Sequence, residues 1–210
     1  FVLAQTRRGQ IRLDVADLCA RMALACHPDG LRAEPALYRW PAPRAPWPAA
    51  PGPDARGDLL AWAASAILIA CCIGETISRP MLEGVVLVTT DPVAEEVSRQ
   101  ILRDEHLHAA FGWDALALLL PALDEPGHAR VQAAMTEALG GFEDTATGGH
   151  RIEQLAGREL VLTRGAPNLG TLTSEEYAII FYATLDQEVL PALESLGLDA
   201  RRAWAERPRY

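Results

Sequence analysis

The chain has 210 residues, of which 50% are hydrophobic, and this is enough to bury one sizeable core as a single domain. Its formal net charge is -9, with 19 lysines and arginines scattered among 28 acidic residues. Proteins that bind nucleic acid or an anionic membrane surface usually carry a basic stripe, and this sequence shows none. We therefore expect neither nucleic acid nor a membrane as a partner.

The cysteines and the apolar segments predict a cytoplasmic protein. No two cysteines have the CxxC spacing of a zinc or redox site, so we interpret them as reduced, mostly buried thiols. They are Cys19, Cys26, Cys71 and Cys72. The opening residues FVLAQTRRGQ lack the features of a signal peptide. The apolar run at 59–73 is shorter than the ~20 residues needed to cross a bilayer, which favours a core helix.

The first predicted helix covers residues 10–26, where apolar residues recur at helical spacing. These are Leu13, Ala16, Ala20 and Ala23. Proline density in the next segment, 31–56, forbids both a helix and a central strand. We expect this segment to be an extended linker on the surface.

Two long helices are predicted in the middle of the chain, forming a core at 57–124. The first, 57–79, is apolar on nearly every face until Pro80 perturbs it, so it belongs at the centre of a bundle. The second begins after Asp91-Pro92, an N-cap followed by proline at the first helical position, and runs to about Leu120. The short connection predicts antiparallel neighbours.

The remaining chain is predicted to contain a helix at 127–139, a glycine-rich loop at 140–172 and a final helix. The final helix begins at a capping box, Thr173-Ser174-Glu175-Glu176, and its apolar spacing continues to Leu196. No segment has a strong strand pattern. We therefore predict one all-α domain over residues 1–210, with the loop and additional C-terminal helix at 140–200.

Three polar side chains fall on apolar stripes of the two long helices. In the second helix the stripe consists of Val97, Ile101, Glu105, His108, Gly112, Leu116 and Leu119. In the first it consists of Ala64, Leu68, Cys71 and Glu75. An inward carboxylate without a partner is costly, so Glu75 and Glu105 need a compensating charge, which a metal ion would supply. Bundle metal sites combine a single Glu with a Glu-x-x-His pair in this way.

The segments ACCIGETIS and ILRDEHLHAAFGW resemble the GE(T) and DExxH segments of bacterial ferritin-like domain proteins. The ending GTLTSEEYAIIFYATLDQEVLPALESLGLD is similar to the closing helix of that group, so the resemblance covers roughly residues 57–200. It implies a ferritin-like four-helix core in which Glu75 is the metal ligand of the third helix, and Glu105 and His108 are those of the fourth. It also implies a carboxylate-bridged pair of iron ions, or manganese, that activates dioxygen on a small organic substrate.

The N-terminal part departs from the family pattern. A complete two-iron site needs another Glu and another ExxH from two earlier helices, and residues 10–26 contain no ExxH. Asp14 lies at about the right depth and either replaces a missing ligand or faces water. A first helix should precede residue 10. The alternatives are a truncated chain, a helix supplied by a second copy or another chain, or a site reduced to one metal or none.

These departures leave more than one function open. The leading hypothesis is a two-iron oxidoreductase with a small-molecule substrate. The alternative is a metal-free or degenerate ferritin-like bundle that serves as a structural or binding partner. Iron storage is disfavoured, because a long proline-rich linker does not suit a compact cage subunit. We interpret Cys71 and Cys72 as residues that pack in the core. Asp104 is either a hydrogen-bond partner of a ligating histidine or an ordinary charged residue.

Overall fold

The computed structural model of the chain describes residues 56–165 and 167–209, apart from the side chains at positions 56, 106 and 107. Within these ranges every regular element is helical, which confirms the predicted all-α class. The predicted helix at 10–26, the proline-rich linker up to residue 55 and the candidate ligand Asp14 lie outside the described residues.

The first described helix is longer than predicted. It consists of α1 (Arg56–Ile67), a π-helical segment (Leu68–Gly74) and α2 (Glu75–Val88) without a break. The predicted end at residue 79 is wrong, because Pro80 lies inside α2. A proline inside a helix costs about 3 kcal/mol, whereas each buried aliphatic side chain contributes about 1.5–3 kcal/mol. Ile77, Val86 and Val88 are all buried, and their burial outweighs the proline.

This first helix also exceeds the apolar run considered from the sequence. Residues 57–88 form a helix of 32 residues whose most apolar window has a mean hydropathy of 1.8, long and apolar enough to cross a membrane. About 50% of that window is buried inside the protein. A core helix passes the same test of length and composition, and the central packing described below is that of a core helix.

The second long helix, α3 (Pro92–Leu119), agrees with its prediction and continues into a short 3-10 turn (Leu120–Ala122). The Asp91 side chain accepts hydrogen bonds from the backbone N–H groups of Val93 and Ala94, each at 2.9 Å, as an N-cap should. The first helix and α3 pack along their lengths. Cys71 contacts Gly112 and Glu75 faces His108, so the two helices are antiparallel, as predicted.

The next helix, α4 (Glu125–Thr147), begins after the Asp124 N-cap and ends at Gly148, whose φ of 55° is left-handed. It does not stop at residue 139 as predicted. Gly140 and Gly141 each weaken a helix by roughly 0.5–1 kcal/mol. Burial of Glu143 and Thr147 one and two turns later, together with the packing of Pro208 against Gly140, holds the extension in place.

The C-terminal part contains α5 (Ser174–Thr184), a π-helical segment (Leu185–Val189), α6 (Leu190–Ser195) and α7 (Ala200–Glu206). The capping box before α5 is confirmed, since the Thr173 N–H donates to Glu176 at 2.7 Å and the Glu176 N–H donates back at 3.2 Å. Helix α7 was not predicted. Between α4 and α5 the described residues contain one regular element, a 3-10 turn at Ile152–Gln154.

The first helix lies at the centre of the fold. It packs against α3 on one side and against α4 and α5 on the other, while α7 packs against α4. The largest fully buried apolar side chains come from all of the long helices. They include Leu68, Ile73, Leu116, Met135, Leu139 and Phe181. The central position of the first helix places its residue Glu75 between the core and α3.

Candidate metal centre

The site is positioned by a close crossing of two helices. A Cβ atom at Gly112 would lie 2.5 Å from Cys71 Cβ and 2.9 Å from the Cys71 carbonyl carbon. Only glycine leaves room for that approach, because backbone atoms cannot move aside as a flexible side chain can. Since the helices are antiparallel, one further turn along each brings Glu75 opposite His108.

The π-helical segment Leu68–Gly74 ends directly before Glu75. A π-helical turn contains more residues than an α-helical turn, so it changes the direction in which the following side chains point. Such turns occur frequently at functional sites. Here four residues of the segment are buried: Leu68, Cys71, Cys72 and Ile73. The Glu75 side chain that follows the segment points toward His108 of α3.

The structure brings together the three side chains selected from the sequence. His108 Nδ1 lies 3.2 Å from Glu105 Oε2 and 3.6 Å from Glu75 Oε1. One ligand atom from each residue lies within 4.8 Å of the other two. Each side chain is 16% exposed, so the cluster is neither sealed nor fully solvated. Among the described residues this is the one group of three or more such donors.

The distances in this cluster suit a shared ion. Ligand atoms bound at about 2.1 Å are separated by about 3.0 Å in octahedral geometry and about 3.4 Å in tetrahedral geometry. The two separations from His108 Nδ1, 3.2 and 3.6 Å, lie close to those values. His108 Nε2 is buried and has no hydrogen-bond partner among the described residues. An ion held by Nδ1 would not give Nε2 a partner, so the fit to a metal rests on the spacing and on the carboxylate and imidazole chemistry of the donors.

A cross-helix hydrogen bond lies beside the cluster. Trp113 Nε1 donates to Thr76 Oγ1 at 3.2 Å and links the residue after Glu75 to the residue after Gly112. Trp113 also packs against the main core. This pair was not identified from the sequence, since the two residues lie on different helices. Its effect is to limit sliding of α2 along α3.

The other sequence-based candidates fall elsewhere. Asp104 accepts hydrogen bonds from Gln100 on its own helix, at 3.3 and 3.4 Å, as an ordinary helical side chain does. Cys71 and Cys72 are both buried. Burial raises the pKa of Cys72 far above its ordinary value, with a smaller contribution from Cys71. Among the described residues neither thiol belongs to the group of potential metal donors.

Comparisons with known proteins return nothing for this chain: no protein-family model, curated protein or solved structure matches it. The class of site is consequently defined by geometry alone. Two carboxylates and one imidazole from two antiparallel helices form a half-buried cluster with metal-ligand spacing.

A second buried polar cluster surrounds Glu143, which is 1% exposed. Arg207 donates to its carboxylate through Nε and Nη2 at 2.8 and 2.7 Å, and the Tyr182 hydroxyl donates at 2.8 Å. Arg151 lies 3.3 Å away, and the Arg207 guanidinium stacks on Trp204, 3.2 Å from the ring centroid. This network ties the C-terminal residues to α4. The sequence carried no signal for it, because its partners are up to 64 residues apart.

The Glu143 network predicts a loss of stability in acid. Burial by itself raises the pKa of Glu143. The hydrogen bonds from Arg207 and Tyr182, together with the positive charges of the arginines, outweigh burial and bring the pKa below its ordinary value. A carboxylate with a depressed native pKa stabilises the fold above its unfolded pKa of about 4.3, and this contribution is lost as the pH falls through the native pKa.

We therefore expect the free energy of unfolding in urea to decrease more steeply below about pH 4.3 in the wild type than in Glu143→Gln. The glutamine variant should be less stable at pH 7 but flatter across the acid range. Its matched control is Glu175→Gln, a carboxylate half-exposed in its ion pair with Arg158, which should retain the wild-type slope. Equal slopes for the wild type and Glu143→Gln would show that the network does not titrate as described.

Proposed function

We propose that this chain is a ferritin-like helical metalloprotein that binds iron through Glu75, Glu105 and His108 and acts as an oxidoreductase on a small organic substrate. The observation that carries this proposal is the convergence of the three donors from two helices, with His108 Nδ1 at 3.2 and 3.6 Å from the two carboxylates. The resemblance of the two segments that contain these residues to ferritin-like proteins supports it further.

The donor set suits a divalent transition metal. Carboxylate and imidazole ligands bind Fe²⁺, Mn²⁺ and Zn²⁺ well, whereas soft metals prefer thiolates, and the group of donors contains no cysteine of the described residues. Bound iron would supply the electrons for reduction of dioxygen. In this proposal Glu75 and Glu105 neutralise the positive charge of the metal, and His108 completes the protein side of the coordination sphere. The half-buried setting limits access of water.

A second candidate is a metal-free bundle with a structural or binding role. It is favoured by the number of donors, because the described residues bring three together, whereas two-metal bundle sites use four glutamates and two histidines. In such a bundle His108 would lie between Glu75 and Glu105 as an ion-pair partner. The metal content of the purified protein distinguishes the two candidates.

The proposal predicts that His108→Ala weakens iron binding by at least about tenfold, since even residues that only orient a ligand cost about 10–100-fold when removed. A protein saturated at 100 times its Kd gains about 2.7 kcal/mol of stability from the ligand. The wild type should therefore melt at a higher temperature with ferrous iron than with a chelator, under anaerobic conditions. At the same iron concentration, tenfold weaker binding would leave His108→Ala with about half of that gain, so its melting temperature should rise less with iron. Ferrous-loaded wild type should also consume oxygen faster than the variant.

The matched control is His128→Ala, which removes an exposed histidine of α4 and should retain the response to iron. Glu105→Gln adds a second test. In a metalloprotein it abolishes the iron response, whereas in a metal-free bundle it is neutral or stabilising, because it removes a charge from a half-buried site. If wild type, His108→Ala and Glu105→Gln all melt alike with iron and with chelator, the metal-free candidate is correct.

A further inference from the structure

The hydrogen bond between Trp113 and Thr76 is a second tie between the two helices that carry the metal donors. Trp113 Nε1 on α3 donates to Thr76 Oγ1 on α2 at 3.2 Å. Thr76 directly follows Glu75 in the chain and is 7% exposed. Because breaking a hydrogen bond at a buried group is unfavourable, this bond favours one arrangement of α2 against α3.

The position of the Trp113 indole follows from helix geometry. Long side chains on a helix point back toward its N-terminus, so Trp113 extends over the turn at 109–110, which directly follows His108. The ring also packs against the main core. Trp113 is therefore held in two ways, by the core through its ring and by α2 through its N–H group.

The close crossing of Cys71 and Gly112 does not by itself set the direction of Glu75, because a single close contact permits rotation of one helix about that contact. Thr76 lies five residues beyond Cys71, roughly 7 Å farther along the helix axis. A tie at that distance from the crossing resists rotation as well as sliding. Binding sites need their donors held to within about 0.5 Å, and hydrogen bonds from supporting residues provide that precision.

We infer that Trp113 and Thr76 are positioning residues of the candidate metal centre. Their hydrogen bond sets the angle at which Glu75 meets Glu105 and His108, and thereby the affinity of the three donors for a metal ion. The inference rests on the proposed metal-binding function and adds to it the residues that keep the two helices in register.

The test is an anaerobic calorimetric titration of the full chain with Fe²⁺, at a temperature where circular dichroism shows every variant to be folded. Thr76→Val keeps the shape of the side chain but removes the acceptor, and Trp113→Phe keeps an aromatic ring but removes the donor. Each should raise the Kd for Fe²⁺ about tenfold, as is typical when a residue that orients a ligand is removed. The double variant should bind about as weakly as Trp113→Phe alone, since both changes remove the same hydrogen bond.

Two further variants separate positioning from a general loss of stability. Thr76→Ser keeps the acceptor hydroxyl and should bind Fe²⁺ like the wild type. Thr184→Val removes the hydroxyl of another buried threonine, which donates to the Ile180 carbonyl at 2.8 Å, and should lower the melting temperature without changing the Kd.

The outcomes distinguish this inference from the proposed function. A wild type that binds no Fe²⁺ would overturn both. Wild-type affinity in Thr76→Val, equal weakening in Thr184→Val, or additive effects in the double variant would each overturn the positioning role and leave the proposed metal site standing.

Discussion

Replacement of Arg207 by methionine is expected to lower the free energy of unfolding by about 3 kcal/mol, since loss of one partner of a buried ion pair typically costs 3–5 kcal/mol. The side chain of Glu143 is 2% exposed and receives two hydrogen bonds from Arg207, at 2.7 and 2.8 Å. Methionine keeps most of the volume over Trp204 but supplies neither charge nor donors. Arg151 and Tyr182 remain near the carboxylate and limit the loss. Urea unfolding at pH 7 measures it.

The matched control for Arg207→Met is Arg202→Met, which lies on α7 with 57% of its side chain exposed and pairs with Asp199. Exposed ion pairs contribute about 0–1 kcal/mol, so this variant should lose little. The double variant Glu143→Leu with Arg207→Met should recover part of the loss, because it removes the stranded charge as well. If Arg207→Met and Arg202→Met have equal effects, the Glu143 network does not stabilise the fold.

The second large effect is expected for Gly112→Ala. An alanine Cβ would meet three atoms of Cys71 at 2.5 to 3.2 Å, two of them backbone atoms. Overpacking of this kind costs about 1–3 kcal/mol, whereas replacing glycine by alanine in an open helical position would stabilise by up to about 1 kcal/mol. The sign of the change therefore reports whether the crossing is as close as described.

Gly112→Ala should also weaken metal binding, because moving α3 away from Cys71 separates His108 from Glu75. Gly57→Ala serves as its control, since no atom of the described residues lies within 4 Å of a Cβ at that position near the start of α1. This control should be neutral or stabilising and should respond to ferrous iron like the wild type. A Gly112→Ala protein that is both more stable and fully competent in metal binding would contradict the described crossing.

The candidate donors could be selected from the sequence because helical geometry converts spacing into direction. Glu105 and His108 are three residues apart and therefore share a face, and Glu75 continues an apolar stripe in the preceding helix. The N-cap at Asp91 and the capping box at Thr173 were predicted for a similar reason: each is a contact within four residues. The role of Glu75, Glu105 and His108 as metal ligands remains a prediction.

The errors occurred where local rules were outweighed by distant contacts. Pro80 and Gly140 are unfavourable inside helices, and the sequence therefore predicts that helices end at both positions. Each penalty is a few kcal/mol or less, and the buried side chains that follow each residue outweigh it. Helix α7 was missed for the opposite reason, because its seven residues are too short for a clear periodic pattern. It is held by packing against α4 and α6.

The sequence by itself therefore determined the helical class, the two long helices at the centre of the chain and the faces on which Glu75, Glu105 and His108 lie. These properties depend on residues within a few turns of one another. Only the tertiary structure decided that Cys71 meets Gly112, that Glu75 consequently faces His108, and that Glu143 pairs with Arg207 64 residues away. Contacts between distant residues depend on how whole helices pack, and helical spacing carries no information about which turn of one helix meets which turn of another.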